Sequence, residues 1–111
     1  NFNGSINPNF NTGVNPLYNV ALNPAYTTNI NGFYLHNWGN SQPIGFAIRA
    51  SNQVLLIYNN LVQYCSFGVV GPIGVVSQFD LNVQWIGTWI PMGTRNFCIY
   101  NLNLQLAGYT T

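Results

Sequence analysis

The chain has 111 residues, enough for one domain, and only 3% of them are charged, with a net charge of +1, where an average domain is about 25% charged. Lysine and glutamate are absent, and Arg49, Arg95, Asp80 and His36 stand against 19 asparagines. This excludes a nucleic-acid binder, which needs a basic patch. It also excludes a paired-carboxylate hydrolase, which needs two acids, and a zinc or calcium centre, which needs more ligands than are present.

The first forty residues carry an octad. Asn7-Pro8, Asn15-Pro16 and Asn23-Pro24 recur, and Asn31-Gly32 continues the series. Phe2, Ile6, Phe10, Val14, Tyr18, Leu22, Tyr26, Ile30, Tyr34 and Trp38 fall on every fourth position, while every asparagine up to residue 39 sits at an odd one. Four is a multiple of the strand period, so in an extended chain all ten side chains share one face and the amides the other. Three prolines exclude a helix. The expectation is an extended segment over residues 1–20 that leaves the domain, with the later octads returning to it. Asn3-Gly4-Ser5 is the one sequon, so Asn3 is a candidate for N-glycosylation.

Residues 21–111 read as an antiparallel β domain, a small β-sandwich or jelly roll. Ile44, Phe46, Ile48 and Ala50 alternate with polar or small residues. Ser51-Asn52 turns the chain into Val54–Tyr58, and Asn59-Asn60 suits a tight hairpin. A strand over 61–70 ends at Gly71-Pro72. Phe79, Leu81, Val83 and Trp85 alternate with polar residues as a half-buried strand. A turn at 91–94 follows, and a parity switch between Ile99 and Leu102 predicts a bulge near Tyr100. The uncharged, β-prone run Gln53–Tyr58 would aggregate as an open edge, so something must cover it.

Two cysteines in a short chain of extracellular character predict a Cys65–Cys98 disulfide closing a loop of roughly 30 residues. The alternative is two buried thiols. No signal peptide or membrane span is visible, as expected of a processed, secreted form. His36, Asp80 and a serine do not make a triad, because no nucleophile motif accompanies them. Asp80 with an arginine is a candidate ion pair. Neither an enzymatic activity nor a cofactor is expected.

The N-terminal run Phe2-Asn3-Gly4-Ser5-Ile6-Asn7-Pro8-Asn9-Phe10 ahead of an all-β domain resembles, in layout, pilins joined by donor-strand complementation, including the thread-like surface filaments of archaea. The resemblance implies a secreted structural subunit that self-assembles head-to-tail with copies of itself, with Phe2, Ile6, Phe10 and Val14 as donor anchors. The absence of lysine excludes a Lys–Asn crosslink of the kind some surface fibres carry. A second reading is a lectin-like module whose Trp38, Trp85 and Trp89 stack on sugar rings beside asparagine amides. A third is a matrix protein in which stacked octads form asparagine ladders.

Overall fold

A computed structural model describes residues 6–24, 32–93 and 96–111. Phe2, Asn3, Tyr26, Ile30 and Arg95 lie outside the described residues. The domain is all-β, with β1 (Gly32–Asn37), β2 (Pro43–Arg49), β3 (Val54–Asn59), β4 (Tyr64–Val70), β5 (Val76–Asp80), β6 (Trp85–Met92), β7 (Asn96–Asn101) and β8 (Leu106–Thr110). Each strand pairs antiparallel with the next, and β8 returns to β1. The expected sandwich is therefore replaced by one closed up-and-down barrel, which leaves no unpaired edge.

The barrel is built from a repeat that the strand-by-strand sequence reading did not register. Gln42, Gln63, Gln84 and Gln105 stand twenty-one residues apart, as do Gly45, Ser66, Gly87 and Gly108, and Tyr58, Phe79 and Tyr100. Each repeat is a strand, a loop and a returning strand. The repeat fixes how the lumen is filled. Leu35, Ile57, Gln78 and Ile99 face inward, and their ladder partners are Gly45, Ser66, Gly87 and Gly108. A large side chain stands opposite a small one four times around the ring. The next layer repeats the rule with Phe33 against Ala47, Leu55 against Gly68 and Val76 against Trp89. At Gly45 and Gly108 the rule is strict, because a Cβ would lie 2.1 Å from the Tyr58 carbonyl and 2.5 Å from that of His36.

One lumen position in the four is polar. Gln78 donates from Nε2 to Ser66 Oγ (3.0 Å), and its Oε1 accepts from Trp89 Nε1 (2.9 Å). The amide is thus satisfied inside the barrel, where an unpartnered one would cost about 1–3 kcal/mol.

The loops at one barrel end share one device. Oδ1 of Asn59, Asp80 and Asn101 each accepts two backbone N–H groups, from residues two and four positions ahead, at 2.9–3.1 Å. Asn37 Oδ1 accepts in a related way from Gly39 and Asn40, two and three positions ahead. The sequence reading ran strands through Leu61 and Leu81, but these carboxyl and amide oxygens stop them. β5 ends at Asp80, and β4 starts only at Tyr64. The irregularity expected near Tyr100 is present as a register shift between Ile99 and Tyr100. The loops force Val62, Val83 and Leu104 to φ values of 61–62°, a left-handed conformation that disfavours branched side chains.

The N-terminal segment is not extended over residues 6–24. Oδ1 of Asn7, Asn11, Asn15 and Asn19 caps the N–H two residues on, at 2.9–3.2 Å. Backbone bonds from Phe10, Val14, Tyr18 and Leu22 to those same asparagines close a turn every four residues. Pro8 and Pro16 stand just after the capping asparagine, where a fixed φ favours a turn. Amides then stitch successive turns together: Asn15 Nδ2 donates to the Pro8 carbonyl (3.0 Å) and Asn19 Nδ2 to that of Gly13 (2.9 Å). The result is a coil whose asparagines turn into it, with Asn7 and Asn15 buried. The expected amide face does not form.

Strain at the loop tips is measurable. Val62→Gly and Leu104→Gly are each expected to raise the unfolding free energy by about 1 kcal/mol, the cost of a side chain in the left-handed region, read as a higher urea midpoint. At Val83, which packs against the core, the same change gains nothing.

Candidate interaction surfaces

Two apolar clusters lie on the two sides of the barrel wall. The inner one joins Leu35, Ala47, Leu55, Ile57, Val76, Trp89 and Ile99. The outer one joins Ile48, Val54, Leu56, Tyr58 and Phe67 with Val14 of the coil, and Ile6 and Leu22 pack against it. The coil therefore covers the outer face of β2 to β5. This explains why Val54 through Tyr58 are all buried. Leu55 and Ile57 fill the lumen, while Val54, Leu56 and Tyr58 lie under the coil. The β-prone run is covered by its own chain on both faces and paired at both edges.

The four-residue apolar series divides into two interleaved octads. Ile6, Val14 and Leu22 point to the barrel. Phe10 and Tyr18 point away and are 77% and 71% exposed, with Leu17 and Val20 beside them also exposed. Of the four anticipated donor anchors, Val14 is thus buried in its own subunit, Ile6 is partly buried, Phe10 is free at the surface, and Phe2 lies outside the described residues. Side-chain bonds tie coil to barrel: Tyr58 Oη donates to the Leu22 carbonyl (2.7 Å), and Asn9 Nδ2 donates to that of Leu81 (3.0 Å).

The outer face formed by β6, β7, β8 and β1 is covered by no described residue of the coil. It exposes Tyr34, Ile86 and Ile90, with Trp85 at its margin. The three tryptophans of the lectin reading are separated. Trp89 is fully buried in the lumen, whereas Trp38 and Trp85 are about half exposed. Trp38 meets Tyr109 edge-on at 6.1 Å, and His36 stacks on the same Tyr109 at 5.0 Å.

The charged side chains and His36 among the described residues lie apart from one another. His36 has its ring nitrogens 3.3 Å from the Ser41 carbonyl oxygen and 3.0 Å from Thr111 Oγ1. Asp80 is committed to its own loop. Arg49 lies at the opposite end of the barrel, its guanidinium 5.7 Å from the centre of the Phe33 ring, so the ion pair considered between these two does not form. No cluster of three or more metal-ligating residues occurs among the described residues. No helix among them is long and apolar enough to cross a membrane.

Cys65 and Cys98 are free thiols, which corrects the expected disulfide. They sit on β4 and β7, with two strands between them. The Cys65 thiol donates to the Ile57 carbonyl, and partial burial pushes its pKa up, only partly offset by a hydrogen bond with Ser66. Burial likewise raises Tyr58 and Tyr64 well above the ordinary phenol range. The chain matches no family model, no curated protein and no solved structure.

Two measurements check this geometry. A raised thiol pKa means less thiolate at a given pH, so Cys65 in a Cys98→Ser variant is expected to react with a disulfide reagent more slowly than free cysteine at about pH 8 to 9. Denaturation should abolish the difference. Tyr58→Phe is expected to cost about 1 kcal/mol, the usual value of one hydrogen bond, and to speed proteolysis within residues 6–24.

Proposed function

We propose that this chain is a structural subunit of an extracellular filament that associates with copies of itself through apolar faces. The observation that carries the reading is the coil's outward face, where Phe10, Leu17, Tyr18 and Val20 are each more than 60% exposed on an uncharged surface. Apolar patches of this kind mark interaction sites. A net charge of +1 on 111 residues supplies almost no repulsion between copies. Strand donation itself needs an open sheet edge, and a closed barrel has none. Association therefore rests on side-chain faces, and residues 6–24 contribute a folded coil in place of a strand.

A second reading is supported by one feature. Half-exposed Trp38 meets Tyr109, which stacks on the partly buried His36, and the loop after Trp38 carries Asn40 and Gln42, a combination that suits the apolar face and hydroxyls of a sugar. Trp38→Ala would abolish a glycan-array signal in that case and leave self-association intact.

Light scattering over a concentration series, with negative-stain microscopy of the same samples, tests the main reading. Mass is expected to climb with concentration and elongated particles to appear. A chain that stays monomeric at about 100 µM, far above the micromolar Kd of a modest specific contact, overturns it.

A further inference from the structure

We infer, on the basis of that self-assembly, that the outward aromatic row of one copy's coil seats on the β6–β7–β8–β1 face of the next copy, the face that no described residue of the coil covers. The barrel's own repeat is the first support. The twenty-one-residue period carries the covered wall onto the uncovered one: Tyr58 and Phe79 correspond to Tyr100, Ile48 and Val69 to Ile90, and Phe46 and Phe67 to Thr88 and Tyr109. The barrel thus repeats one backbone pattern on its second wall, which keeps Ile90 and Tyr100 but has Thr88, Asn96 and Cys98 where the first has Phe46, Val54 and Leu56. One copy of that wall already receives a coil, through Ile6, Val14 and Leu22. The other receives none among the described residues.

The coil is repeated in the same way. Its inner row recurs every eight residues, and Phe10 and Tyr18 form an outer row with that same spacing, displaced by four. The contact seen within the subunit therefore has a second pair of matching faces, one on each molecule. Neither face carries a charge among the described residues. His36, at the margin of the barrel face, has both ring nitrogens engaged by Ser41 and Thr111.

Geometry sets the outcome. The coil covers β2 to β5, and the uncovered wall is the other half of the closed ring. The two contact faces lie on opposite sides of one molecule. Different patches that meet head-to-tail without closing produce an open filament. The molecule measures 35 × 31 × 26 Å, so one side offers on the order of 800 Å², the area a standard contact buries on each partner.

Complementation tests the contact. A chain carrying Phe10→Ser and Tyr18→Ser loses the coil face, and a chain carrying Tyr34→Ser and Ile90→Ser loses the barrel face. The first three positions are strongly exposed and Ile90 is 38% exposed; circular dichroism of each variant confirms that it folds. Each variant alone is expected to be monomeric by light scattering. Their equimolar mixture should double in mass and stop there, because it holds one intact face of each kind. If the unaltered chain assembles but either variant still polymerises, or the mixture stays monomeric, this contact is wrong and self-assembly stands. If the unaltered chain is itself monomeric, both fall.

Discussion

The capture of backbone N–H groups by asparagine side chains sets the shape of both halves of this molecule. An asparagine carboxamide reaches the N–H two residues ahead and offers the chain a turn in place of a ladder. In the coil this happens every four residues, and the segment curls. In the barrel it happens in every other connection, at one end of the barrel, and the strands end where it does. A chain almost without charge thus keeps most of these turns ordered by amides. Asp80 takes the same place as Asn59 and Asn101, and its carboxylate accepts the same two N–H groups. The one acidic side chain is therefore a turn residue.

The second constraint is volume. A closed barrel of eight strands has a lumen just wide enough for side chains to fill. At one height four large residues face four small ones, and at Gly45, Gly87 and Gly108 the neighbouring backbone comes close. Gln78 breaks the apolar rule at one site of four, and Ser66 and Trp89 absorb it. The wall so filled is rigid and carries apolar side chains on its outer surface as well, which is why a second layer, the coil, can pack there.

The all-β class, the hairpin turns near 52 and 60, the break at Gly71-Pro72 and the irregularity at Tyr100 were legible, because they rest on local alternation and turn chemistry. The coil was half legible. The four-residue apolar spacing is real, but spacing cannot separate an extended strand from a chain of turns with the same step. Asn-Pro at each octad favours the turn, and that signal outweighs parity. The same error recurs at Leu81 and Val83, whose alternation runs through a loop. What would have revealed both barrel closure and loop positions is the recurrence of glutamine and of glycine or serine every twenty-one residues. That signal was invisible to a reading taken one strand at a time. The free thiols were not legible from count and spacing, since those say nothing of which strands separate the two sulfurs.

Every ladder in the barrel joins neighbours along the chain except the one that closes it. β1 meets β8 over Leu35, His36 and Asn37, extended by a reciprocal pair of backbone bonds between Tyr34 and Thr111 and by the Trp38 N–H on the Ala107 carbonyl. Hairpins zip quickly because little chain entropy is lost in forming them, whereas this seam must bring together residues some seventy-five positions apart. It is the last ladder to form and the first to part. A barrel opened there would bare two strand edges with no lysine or proline to guard them. The C-terminal residues, short as they are, act as the clasp that keeps an uncharged sheet from templating its own aggregation.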